Sequence, residues 1–296
     1  ARARGVQLDV VSLNTLVSVC GRWEQWQWAI HLLQEMRPDV VTYNASMDAC
    51  ARGQQWQRSL TLFDEMFHSI LYPTIISYNT AISACENGPW TLVVALLQDL
   101  RQQGLKARAD TYSAAMAACS KAQQNDLALQ LLSKVPRRSP SRQLLVAYNT
   151  ALNACAKGHY WMQSLQLLEE MSTDSPDVVS LSPDVVSFSS ALTACGKSQQ
   201  WEKSLALMQD LKDRSLQMNT FLCNAAMDSY SRASQWQATL ALLEDMRKQS
   251  QQPSMVAATL AVSAAASAAE SAVATDLLHR LQLFLWHPGL TSAPAT

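Results

Sequence analysis

Cysteine, tryptophan, a small polar residue and a short run of cations recur along this 296-residue chain in places where each could do chemistry. Six of the seven cysteines stand at 20, 50, 85, 119, 155 and 195. A thiolate can ligate zinc, bridge to a partner or act as a nucleophile. Zinc needs ligands a few residues apart, and no cysteine pair has that spacing. A deaminase-type centre would need His-x-Glu followed by Cys-x-x-Cys, and neither occurs. Equivalent residues on stacked helices lie about 8–10 Å apart, beyond the ~7 Å Cα limit of a disulfide. The cysteines are therefore read as core thiols beside Ala49, Ala84, Ala118, Ala154 and Ala194. No nucleophile–base set or phosphate loop stands out, so the expectation is a non-enzyme with no cofactor and no metal site.

The tryptophans at 26, 56, 90, 161, 201 and 236 could stack nucleobases if exposed. Each is followed by Leu-rich text, as in WEKSLALMQDL from Trp201, where Leu205, Met208 and Leu211 share one helix face. Packing between helices is the preferred reading. Lys134, Arg137, Arg138 and Arg142 form the one obvious basic cluster, read as a solvated loop rather than a phosphate clamp. The net charge of −1 gives no overall pull toward nucleic acid or an anionic membrane. With 48% hydrophobic and 16% charged residues, the composition is that of an ordered, core-forming chain. The Ala-rich stretch from Met255 to Leu278 is broken by Ser263, Ser267, Glu270 and Asp276, which argues against a membrane span.

These residues are positioned by a repeat. A block of the form Val-Val-Ser/Thr-aromatic-Asn begins at Val10, Val40, Ile75, Ala109, Leu145, Val185, Thr220 and Met255. Each unit reads as two short helices. The first is expected to open at a hydroxyl cap such as Ser12, Thr42, Ser77, Thr111 or Ser187. The turn falls in text such as ARGQQ from Ala51, and the second helix closes before prolines such as Pro38, Pro73, Pro136, Pro176, Pro183 and Pro253. One hairpin cannot bury both its apolar faces, so the copies must stack into an all-α solenoid, a superhelix of either hand forming one domain. Its expected parts are 1–9, the end of a preceding repeat, an array over 10–289 and a tail over 290–296. The repeats are 10–39, 40–74, 75–108, 109–144, 145–184, 185–219, 220–254 and 255–289. The first is about five residues short after Met36, and the fifth carries a tandem SPDVVSL/SPDVVSF from Ser175 to Phe188.

The period near 35, the VVTYN of Val40 to Asn44 and the Pro-Asp pairs at Pro38–Asp39 and Pro183–Asp184 resemble the pentatricopeptide repeat family, in its P-type form without an appended catalytic domain. The resemblance implies a right-handed α-solenoid that binds single-stranded RNA, one nucleotide per repeat. It also implies work in RNA processing, stability, editing or translation in a mitochondrion or chloroplast. The implied partners are RNA and other RNA-processing proteins, with neither membrane nor DNA. Repeat phase begins almost at Ala1, so any targeting peptide lies outside this sequence.

In the family, the fifth and last residues of a repeat read one base, and the second residue helps sandwich it. Carried over, Asn14 with Asp39 and Asn149 with Asp184 match the combination for uracil, with Asp177 an alternative to Asp184. Ser189 with Asn219 matches adenine and Asn224 with Ser254 cytosine. Asn44 with Thr74 and Asn79 with Arg108 lean toward pyrimidines. Ser113 with Leu144 departs from the scheme, which makes the fourth repeat a spacer. The sandwiching wall would be Val11, Val41, Ile76, Val146, Val186, Phe221 and Val256, with Asp110 breaking the row. The implied order is 5′-U-Y-Y-N-U-A-C-3′. The rival reading is a protein-binding solenoid of the tetratricopeptide type, whose W-x2-L-G-x2-Y pattern is absent. A degenerate array that binds nothing specifically is the third.

Overall fold

The structure is a computed structural model that describes residues 10–35, 38–137, 139–172, 181–214, 216–233, 235–248 and 254–267. The segments 1–9, 173–180 and 268–296 lie outside it, and with them Asp177, most of the first copy of the tandem duplication, the second half of the last repeat and the tail. All regular structure among the described residues is helical. In order the helices are α1 (Val10–Arg22), α2 (Trp26–Glu35), α3 (Val40–Arg52), α4 (Trp56–His68), α5 (Ile75–Ala84), α6 (Trp90–Gln102), α7 (Ala109–Lys121) and α8 (Asn125–Leu132). They continue as α9 (Ser141–Gly158), α10 (Trp161–Ser172), α11 (Val185–Lys197), α12 (Trp201–Asp213), α13 (Thr220–Arg232), α14 (Trp236–Lys248) and α15 (Met255–Ser267). No described helix is long and apolar enough to cross a membrane.

The chain divides into two compact units, one over 1–154 with 176–179, the other over 155–175 with 180–296. In the first, α1, α3, α5 and α7 pack side by side, with α2, α4 and α6 each leaning on the next first helix. The second unit repeats the scheme with α11, α13 and α15 backed by α10, α12 and α14. These are the stacked helix pairs of a solenoid.

Small residues let the first helices approach closely. Gly21 lies against Ala49, and Gly196 against Ser229, where an added Cβ would stand 3.3 and 3.2 Å from the facing Cβ. The register cysteines fill the same seam. Cys50, Cys85, Cys119, Cys155 and Cys195 are buried free thiols, and Cys20 is half-buried. Burial pushes the Cys50, Cys85, Cys119 and Cys195 thiols up to about 11 and that of Cys155 to about 12, the opposite of an activated nucleophile.

Helix starts differ from the expected hydroxyl caps by three residues. The caps are Asp39, Thr74 and Asp184, whose side chains accept from the backbone N–H of Thr42, Ser77 and Ser187. Thr42, Ser77 and Ser187 sit at the third helical position and accept in return from the cap's own N–H, a reciprocal box. Asn219 caps α13 through Leu222 N–H at 2.8 Å. The fifth first helix departs further, starting at Ser141 instead of Leu145, so that Leu144 is a buried helical residue, 2% exposed.

Five turns between paired helices use a left-handed residue, Glu24, Gln54, Gln123, His159 or Gln199, at φ from 56 to 63°. The following N–H then bonds the carbonyl of the register cysteine, as in Gln55 N–H to Cys50 O at 2.8 Å. The same geometry closes α4 and α6. Gly104 takes it after α6 at φ 73°, but after α4 the position holds Ile70 at φ 57°. A β-branched residue is costly there, and the Ile70 side chain, 82% exposed, returns nothing by packing. Ile70→Gly is expected to raise stability by about 1 kcal/mol, less than the ~1–2 kcal/mol steric relief because glycine loosens the unfolded chain. Urea denaturation of the two proteins measures this, and an unchanged or lower midpoint would refute it.

Candidate nucleic-acid interface

At 100° per residue, the second and fifth residues of a first helix lie about 60° apart, on one stripe. The second residues Val11, Val41, Ile76, Val146, Val186, Phe221 and Val256 are all large, apolar and 49–71% exposed. A chain that buries its other regular apolar rows leaves this one in water seven times. The polar fifth residues sink deeper. Asn14, Asn44, Asn79, Asn149 and Asn224 are half-buried and Ser189 is buried.

Asp39, Thr74, Asp184 and Asn219, each last in its repeat, cap the next first helix, and Ser254 accepts from Ala257 N–H in the same way. In the first and seventh repeats the last residue also meets the fifth. Asn14 donates to the Asp39 carboxylate. Burial pushes that carboxyl up, but the Thr42 N–H and hydroxyl together with the Asn14 amide outweigh it and hold the group below its usual value. The Asn14 Oδ1 is then left buried with no partner. At the seventh repeat the polarity reverses, because the Ser254 hydroxyl donates to Asn224 Oδ1 at 3.2 Å. There the amide NH2 remains for a ligand. A carboxylate at the last place thus turns the amide to accept, and a hydroxyl turns it to donate.

The remaining sites fall around these two. Asn44 Oδ1 is buried without a partner, its neighbour Thr74 being engaged with Ser77. Asn79 Oδ1 accepts from the Thr111 hydroxyl, which in turn accepts from Arg108 N–H at 3.2 Å. Ser189 donates to Val186 O at 2.9 Å, so the structure ties it to its own helix rather than to Asn219. Asn149 belongs to the first unit, and Asp184, which caps α11, to the second. In the fourth repeat Ser113 is buried with its hydroxyl on Ala109 O at 3.0 Å, and Leu144 is buried within α9, so neither faces a ligand.

Models of the PPR repeat family match residues 38–87, and of the PPR repeat residues 11–37, 146–175, 186–216 and 221–250, together more than half the chain. This chain belongs to the pentatricopeptide repeat family. No curated protein matches it. Among solved structures it is similar to the pentatricopeptide repeat protein PPR10 from maize, with 24% identity and a TM-score of 0.67 over 93% of this chain and 40% of that one. PPR10 in complex with an 18-nt psaJ RNA element aligns at a TM-score of 0.37 and 16% identity, over 91% of this chain and 58% of that one. The likeness to PPR10 shows the fold, and the chain spans 40% of that protein's length.

One further row of this pentatricopeptide array completes the surface. Eleven residues beyond the second position a helix returns to within about 20° of it. That register holds Arg22, Arg52, Lys121, Lys157, Lys197 and Arg232, a cation in the last turn of six first helices. At the third repeat it holds Asn87, which Lys121 reaches at 2.8 Å. Neither net charge nor a run of cations adjacent in sequence reveals this row, because its members stand one per repeat. The repeat alignment already contained it. The tryptophans, by contrast, open the second helices, and all six are half-buried. A Cβ on Gly53 would stand 2.4 Å from Trp26 Cδ1, and one on Gly88 3.1 Å from Trp56 Cδ2, so these indoles pack against the turn of the next repeat.

Proposed function

We propose that this chain binds single-stranded RNA one nucleotide per repeat, in the order 5′-U-Y-Y-N-U-A-C-3′. The observation that carries it is the exposed row of apolar second residues above recessed polar fifth residues, with the hydrogen bonding of Asn14 and Asn224 set by the following last residue. An apolar side chain can cover a base face, while the recessed group meets the base edge. The amide orientations suit the assigned bases. The unpartnered acceptor of Asn14 matches the N3–H donor of uracil, and the free amide donors of Asn224 match the N3 acceptor of cytosine. PPR10, which shares the fold, has been solved with RNA. A role in organellar RNA processing, stability, editing or translation follows from the family and not from any residue on this surface.

Fluorescence anisotropy with labelled oligonucleotides tests the reading. The matched heptamer should bind at least about tenfold more tightly than its scramble, since each mismatched base typically costs ~1–3 kcal/mol. Asn219→Asp should shift the sixth-base preference from adenine toward guanine. Equal binding of matched and scrambled RNA would defeat the proposal.

A further inference from the structure

The third base site is built differently from the others. Arg108 stands at the last place of its repeat, and Asp110, two residues on, replaces the apolar wall residue. These two departures from the pattern meet. Arg108 Nη2 lies 3.5 Å from Asp110 Oδ2, with the side chains 53% and 50% exposed. Next to them, the Thr111 hydroxyl donates to Asn79 Oδ1, so the donors of this half-buried amide are the groups it can offer a base. Ile76, 58% exposed, remains as the one apolar wall. The site therefore offers a guanidinium fork and an amide donor beside a carboxylate, all on the first unit.

Resting on the RNA-binding reading, we infer that Asp110 and Arg108 form a guanine-specific site at the third nucleotide, in place of the pyrimidine that the Asn79 pairing implies. Guanine presents N7 and O6 as adjacent acceptors, then N1–H and N2–H2 as adjacent donors. A guanidinium can take the first pair and a neighbouring carboxylate the second, each as a bidentate contact. Uracil has one ring N–H for the carboxylate, and adenine has no acceptor where guanine carries O6. The half-exposed ion pair is weakly held and opens readily to a base edge. Asp110 is then a specificity-determining residue, its charge answered by Arg108 and by the donors of the base.

The test uses the full chain and four heptamers, 5′-UUXAUAC-3′ with X as G, A, U or C. Guanine should bind about tenfold or more tightly than each alternative, in line with the ~1–3 kcal/mol of a bidentate base contact. Asp110→Asn and Asp110→Val should each reduce that preference to within about twofold. The preference for uracil at the first nucleotide, read by Asn14 and Asp39, should persist in both variants. If first- and sixth-base preferences hold while X makes no difference, or a pyrimidine is preferred at X, the guanine assignment falls and the RNA-binding reading stands. If no heptamer binds better than its scramble, both fall together.

Discussion

Replacing Arg22, Arg52, Lys121, Lys157, Lys197 and Arg232 together by glutamine is expected to weaken binding of the matched oligonucleotide by at least ~100-fold at moderate salt, with base preference unchanged. Phosphate contacts position a nucleic acid and base contacts specify it, so losing the first should leave the second. The six cations lie on the stripe of the second residues, about three helical turns further along. If each neutralises a phosphate, the slope of log affinity against log salt should shrink by about 4, at roughly 0.7 per contact for a single strand. The six do not contribute equally. Arg52 pairs with Asp48 at 3.0 Å, Arg232 with Asp228 at 2.9 Å, and Lys121 with Glu86 at 2.7 Å, each carboxylate competing with a phosphate. Lys157 and Lys197 carry no ion pair among the described residues, so Lys157→Gln with Lys197→Gln should account for more of the loss than Arg52→Gln with Arg232→Gln. The fold should survive, because exposed ion pairs of this kind contribute about 0–1 kcal/mol each. A salt slope identical to that of the unmodified chain would sink the phosphate role of the row.

How far the sequence led can be judged from the same residues. The helix pairs, the buried cysteines and the half-buried tryptophans follow from text that repeats in fixed phase, because each apolar register must meet the same register on the next hairpin. The caps were harder to read. Thr42 and Asp39 satisfy each other in a reciprocal box, so a hydroxyl beside the repeat start could serve equally as the cap or as its third-position partner. The early start of α9 is hidden by the repeat frame itself, which puts Leu144 at the end of the fourth repeat, while its apolar side chain is buried four residues into the helix. The cation row disappeared into a net charge of −1, since a sum over 23 basic and 24 acidic residues holds no information about faces. Asp110 looked like a defect while it was weighed alone. Its partner was two residues away, and only side-chain geometry joined them.

In the seventh repeat, Tyr230→Ala should cost about 3–5 kcal/mol. Most first helices carry an aromatic at the fourth position, Tyr43, Tyr78, Tyr112, Tyr148 and Phe188, and a cysteine seven residues later. In α13 the order is inverted, with Cys223 at the fourth place and Tyr230 at the eleventh, and both are buried. Two turns of helix, about 10 Å of rise, bring these positions to the same side, so an exchange of large for small conserves the volume along that buried face. Tyr230 is 1% exposed, and burial pushes its phenol well above the usual range. Ring volume, rather than an ionisable group, is what the position supplies. Tyr230→Cys should therefore open a cavity costing about 3 kcal/mol, and Cys223→Tyr should overpack by ~1–3 kcal/mol. The double exchange, which restores the order of the other repeats, should cost less than the sum of the two by more than the ~0.3–0.5 kcal/mol within which independent sites add. Chemical denaturation of the three variants decides it, and strict additivity would mean that the inversion is not compensatory. Asn224 is on the same helix, so Tyr230→Cys should also blunt the cytosine preference at the seventh nucleotide while leaving the first-nucleotide preference intact. Two positions that read nothing would then control a site that does, by deciding whether α13 holds its shape.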